Sequence, residues 1–155
     1  MKFENLRIAP SIAIACACVL ASILSVLLAG TVESALGGGF VPITTISRGE
    51  VIAALFVSPP FETLLLQGLP YVMFHERLSS VKCLLSMSVI FAFAHISKGY
   101  VVVLSSALGG MVLGSVFLIT IRRSGKIAIL ATTLTHILHN FLTLLLSIAA
   151  GAVIV

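Results

Sequence analysis

The chain has 155 residues, 59% of them hydrophobic and only 9% charged, and its mean hydropathy is +1.24. Soluble domains average about 45–50% apolar and about 25% charged residues, so a water-facing surface is excluded and an integral membrane protein is expected, with no soluble domain beside the spans. The net charge of +4 comes from nine Lys and Arg against five Glu and no Asp, too scattered for a nucleic-acid surface; these charges read as topology signals.

A helix needs about 20 apolar residues to cross the hydrocarbon core. The first such run spans 8–29. Lys2 and Arg7 precede it as they would a signal peptide, but the run exceeds the about 7–15 residues of a signal h-region, which favours a retained span. Residues 30–50 change character, with Gly37-Gly38-Gly39, Pro42 and a Thr/Ser cluster, and read as a loop on one membrane face. A second apolar segment covers Val51 to Phe74 and contains Pro59-Pro60. Proline suits the first helical turn and breaks the interior, so a helix is expected to begin near Pro60, with the residues before it at the interface. Further spans are expected at Val81–Ile96, Tyr100–Ile121 and Lys126–Val155. Cys16, Cys18 and Cys83 lie inside apolar runs and imply no disulfide framework.

Five spans with the N-terminus inside place Lys2, Arg7, Arg77, Lys82, Arg122, Arg123 and Lys126 on the inner face and only Arg48 and Lys98 on the outer. That arrangement obeys the positive-inside rule. The expectation is therefore an all-α, polytopic transmembrane bundle forming a single membrane-embedded domain over residues 1–155, N-terminus cytoplasmic, in a prokaryotic inner or plasma membrane.

Most charges fall in the connections. Glu62, His95, His136 and His139 do not, and neither do the polar Gln67 and Asn140. An ionisable residue inside a span costs a few kcal/mol and marks a functional site by default. His136 and Asn140 stand in an i, i+4 relation, with Thr132 one turn earlier on the same stripe; Phe91 and His95 share the same spacing. Glu62 falls in the first turn of the helix expected from Pro60, where free N–H groups and the positive end of the helix dipole favour a carboxylate. Asn140 is 14 residues beyond Lys126, about 21 Å of helix, so Glu62, His95 and Asn140 are all expected in the outer half of the bilayer.

The segments Glu62-Thr-Leu-Leu-Leu-Gln67-Gly68, Phe91-Ala-Phe-Ala-His95 and His136-Ile-Leu-His-Asn140 resemble, in order, the EExxxRG, FxxxH and HxxxN motifs of the CPBP family of intramembrane glutamate-type proteases (the CAAX-protease, Abi and bacteriocin-processing family). The resemblance covers about 59–141, which would be the catalytic core. Gly110-Met-Val-Leu-Gly114 is also similar to a glycine pair often seen there. The resemblance implies an endopeptidase in which Glu62 and His95 hold and activate water while His136 and Asn140 donate to the oxyanion. It also implies a peptide or membrane-anchored protein as substrate. Thr63 and Gln67 replace the family's second Glu and its Arg. In the family motif those two positions can form an ion pair, and here Thr63 and Gln67 are expected to hydrogen-bond instead. Phe91 and His139 are expected to pack behind the catalytic groups.

One carboxylate and two histidines also make a plausible zinc set. No HExxH occurs, and Asn140 is a better donor than ligand, so no cofactor is expected and zinc is the alternative. Two rival functions remain: a non-catalytic immunity or partner-binding protein that keeps the fold, which the changes at Thr63 and Gln67 favour, and a small transporter or proton relay, which would not account for three ordered motifs.

Overall fold

The computed structural model describes residues 45–149 and 151–155 and, ahead of them, residues 19–20, 22–24, 26–28, 30–31 and 34–35. The span expected over 8–29 and the loop with Gly37-Gly38-Gly39 and Pro42 lie largely outside the described residues, as do Lys2, Arg7, Cys16 and Cys18. The described residues from 19 to 35 are helical, and Ser22 Oγ donates to the Thr135 carbonyl at 2.9 Å.

The described fold is almost entirely helical. One small clip interrupts it: β1 (Thr45–Ile46) pairs in parallel with β2 (Val153–Ile154), Thr45 opposite Val153 and Ile46 opposite Ile154. Helix α1 follows over Arg48–Phe74. Ser47 and Glu50 start it with a capping box: Glu50 N–H donates to Ser47 Oγ at 3.2 Å and Ser47 N–H to the Glu50 carboxylate at 2.8 Å.

Helix α1 departs from expectation, because it runs through Pro59-Pro60 instead of starting there. Two π-helical stretches, Ala53–Val57 and Thr63–Gly68, explain how. Each is followed by an α-helical segment, Ser58–Glu62 and Leu69–Phe74, with its prolines in the opening turn. In a π turn the N–H reaches back five residues, as Ser58 does to Ala53 and Leu69 to Leu64. An interior proline normally loses a bond and clashes with the carbonyl four residues back. The widened turn separates the ring from that carbonyl, so the helix continues. The helix-dipole argument for Glu62 therefore fails: the residue sits deep in a continuous helix, not at a free N-terminus.

Helix α2 (Ser80–Phe93) is 14 residues, about 21 Å, too short to cross about 30 Å of hydrocarbon alone. It stops before the expected Ile96. A turn carrying His95 and a 3₁₀ segment, Ile96–Lys98, then lead through Gly99 (φ 95), a left-handed conformation that suits glycine, into α3 (Tyr100–Ile121). Helix α4 covers Gly125–Ala149. Among the described residues, three helices are long and apolar enough to span a membrane: α1 and α4 in full and residues Val102–Ile121 of α3.

Helices α2 and α3 pack closely. A Cβ on Gly110 would lie 2.9 Å from Phe91 Cβ, and one on Gly114 2.8 Å from Leu84 Cδ1. Small residues at such contacts let membrane helices approach. Ser88 Oγ adds an interhelical bond to the Ala107 carbonyl at 2.7 Å. Cys83, Met87, Phe117 and Ala128 form an apolar core, with Tyr71, Phe74 and Ile121 against it. These residues lie at the start of α2, the end of α3 and the start of α4, so the opposite end of the bundle is left for polar groups. Outward, Phe56, Phe61, Phe93 and Ile119 are 62–70% exposed, while Thr63, Gln67, Thr132 and Thr135 are fully buried. An apolar exterior around a partly polar interior suits a lipid solvent.

Candidate active site

Four of the residues singled out by sequence converge at that polar end. Helix α1 supplies Glu62, the turn after α2 supplies His95, and α4 supplies His136 and Asn140. All four line a cavity of about 500 Å³. A second cavity of about 300 Å³ shares His95, His136 and Asn140 with the first, so the two cavities adjoin along these groups.

Glu62 Oε2 and His136 Nε2 lie 3.6 Å apart, with His136 buried and Glu62 partly exposed to the cavity. That separation is longer than a hydrogen bond, so the two groups face each other without closing on one another. His95 is held differently. Its Nδ1 lies 2.9 Å from the Phe91 carbonyl, and its ring stacks on Phe91 at 5.0 Å and 26°. A carbonyl only accepts, so Nδ1 carries the hydrogen and, in the neutral ring, Nε2 keeps its lone pair. Phe91 also meets the His136 ring at 5.7 Å and 57°. The i, i+4 spacing of Phe91 and His95 thus becomes a ring stack and a backbone bond, although His95 lies just past the helix end.

Asn140 Nδ2 donates to the Ala54 carbonyl at 2.7 Å, joining α4 to the first π turn of α1. One amide hydrogen is thereby committed to backbone.

Thr63 and Gln67 are fully buried. The hydrogen bond expected between them is not formed: Thr63 Oγ1 and both polar atoms of the Gln67 amide have no partner. The π turn over Thr63–Gly68 alters the register on which an α-helical i, i+4 contact depends. His139 stands next to the four site residues. It lines both cavities beside His136, from which it is one turn removed, and its Nδ1 is unpartnered. Sequence spacing offered that signal. Lys98, three residues after His95, also lines both cavities and was missed because it reads as a topology charge. Among the described residues, no group of three His, Cys, Asp or Glu side chains is placed to hold one metal ion.

A helical membrane bundle that sets a carboxylate, histidines and a carboxamide on the wall of its larger cavity is chemically suited to a membrane-embedded hydrolase. A family model described as Type II CAAX prenyl endopeptidase Rce1-like matches residues 44–142. The chain belongs to this family and is a membrane peptide hydrolase. The match begins ahead of the residues that carry the three motifs and takes in β1 and the capping box. No curated protein and no solved structure matches the chain.

Proposed function

We propose that the protein hydrolyses a peptide bond near the membrane surface with a water activated by Glu62 and His95. The observation that carries this reading is the Glu62–His136 pair, 3.6 Å apart on the wall of a cavity that His95 and Asn140 also line. Water bound between Glu62 and His95 Nε2 attacks the scissile carbonyl carbon, and its proton passes to the Glu62 carboxylate. His136 and the second hydrogen of the Asn140 amide donate to the oxyanion; such a donor is worth about 2.7–4 kcal/mol of barrier where measured in an unrelated protease. Collapse of the tetrahedral intermediate breaks the C–N bond, and the proton held by Glu62 leaves on the amine.

The charge distribution of the sequence supports a cytoplasmic N-terminus, and with the five spans expected from the sequence the site opens to the extracytoplasmic side. That geometry suits trimming of an exported peptide or a membrane-anchored protein. The test is sequencing of membrane-peptide termini from cells carrying wild type or Glu62→Ala at equal protein levels. One uncut precursor should accumulate in the mutant and name the substrate. Identical termini across repeated sampling, with expression confirmed, would refute catalysis and leave a partner-binding or immunity role.

A further inference from the structure

The bond from Asn140 to Ala54 has a local cause in the sequence of α1. In the π turn Ala53–Val57, a backbone carbonyl expects its donor five residues on. Ala53 has one, the Ser58 N–H. The corresponding residue for Ala54 is Pro59, which has no N–H, while Ser58, one position earlier, has already spent its own on Ala53. Without a main-chain donor this carbonyl, whose residue is exposed and lines the larger cavity, is left to a side chain or to cavity water. Its partner is the side chain of Asn140, 86 residues away in sequence and 2.7 Å away in space.

We propose that Pro59 is a positioning residue: by withholding an N–H from the Ala54 carbonyl, it makes that carbonyl the anchor that orients the Asn140 amide. A carboxamide is planar and its two N–H bonds diverge. Fixing one on Ala54 fixes the direction of the other, and Asn140 lines both cavities. The anchor also settles the amide orientation, since a carbonyl accepts and the amide oxygen cannot take that place. The same contact ties α4 to the turn of α1 that walls the larger cavity at Ala53 and Ala54. This deepens the reading of Asn140 as an oxyanion donor and rests on it for the use of the second hydrogen; the anchor itself does not depend on turnover.

The chain contains two asparagines, Asn5 and Asn140, which makes the anchor directly observable. Full-length protein in detergent, labelled with ¹⁵N only at the asparagine side chain, gives two NH₂ pairs, and Asn140→Ala assigns them by deletion. We expect the Asn140 pair to show one hydrogen shifted downfield and slow to exchange with water, beside a partner that exchanges freely. In Pro59→Ala, whose new N–H can serve the Ala54 carbonyl, that downfield shift and protection should be lost. Two equivalent, freely exchanging hydrogens in the wild type overturn the proposal, and so does a protected hydrogen that survives Pro59→Ala unchanged. If Pro59→Ala does not accumulate, Pro59→Ser restores the same N–H and is read in the same way. Because no substrate is used, loss of the anchor and loss of catalysis are read separately: a protected hydrogen with no cleavage anywhere sinks the protease reading and leaves the anchor standing.

Discussion

Alanine at Gly110 and at Gly114, one helical turn apart on α3, should have different consequences. In both cases the substitution gains about 1 kcal/mol of helix propensity. The neighbours decide the rest. A Cβ at Gly110 would lie 2.9 Å from Phe91 Cβ and 3.1 Å from Ser88 Cα, atoms fixed to the α2 backbone that cannot rotate aside. Relief requires the helices to separate, and overpacking of this kind costs about 1–3 kcal/mol. A Cβ at Gly114 would meet Leu84 Cδ1 at 2.8 Å and Met87 Sδ at 3.3 Å, the mobile ends of side chains that can change rotamer. We expect Gly110→Ala to lose up to about 2 kcal/mol net, several degrees of Tm at about 2–4 °C per kcal/mol. Gly114→Ala should stay within about 1 kcal/mol of wild type. Catalysis should separate them further, because Phe91 stacks on His95 and meets His136, so displacement of α2 at Gly110 moves both rings. Thermal unfolding of the two variants in one detergent, with cleavage of the precursor identified by terminus sequencing, makes the comparison. Gly110→Ala as stable and as active as Gly114→Ala would refute the reasoning.

Three further substitutions test other parts of the bundle. Thr63→Val removes a fully buried hydroxyl that has no partner at almost constant shape, and should raise stability by about 1 kcal/mol; a fall in Tm would show that the hydroxyl is bonded. Ser47→Ala deletes the capping box of α1 and should cost about 1 kcal/mol, seen as a lower Tm and as faster proteolysis near Ser47; unchanged proteolysis and Tm would remove the cap from the account of α1. Ser88→Ala breaks the 2.7 Å bond between α2 and α3 and should cost about 0.6 kcal/mol, the average for interhelical hydrogen bonds in a membrane protein. A loss several times larger would mean that Ser88 bears more than this one bond.

The convergence of Glu62, His95, His136 and Asn140 was legible because each is a polar residue that lipid penalises, and helical spacing places His136 and Asn140 on one face. The all-helical class followed from composition together with the lengths of the apolar runs. What escaped the sequence depends on contacts between distant residues. Pro59-Pro60 reads as a helix start in α-helical terms, and only the π turns on either side of the Ser58–Glu62 segment let α1 pass through it. One of those turns is completed by Asn140, whose spacing to His136 speaks only about its own helix. The early end of α2 at Phe93 was equally hidden, since Ala94 and Ile96 continue the apolar run without any helix-breaking residue until Gly99. His139 was visible in the same way. Its place one turn from His136 put it on the cavity side, where it stands.

The β1–β2 clip fixes where the larger cavity can widen. Arg48 N–H donates to the Val155 carbonyl and Val155 N–H to the Ile46 carbonyl, each at 3.0 Å, so the start of α1 and the end of α4 are sewn together by main chain. Those two helices supply most of the cavity wall, from Ala53 to Glu62 on one side and from His136 to Ser147 on the other. They cannot part at that end without tearing a strand pairing, and Asn140 ties them again further along. Among the described residues, the rest of the lining is the short turn through His95 and Lys98 that ends at Gly99. With α1 and α4 tied to each other twice, a substrate that needs a wider cavity has to displace that turn.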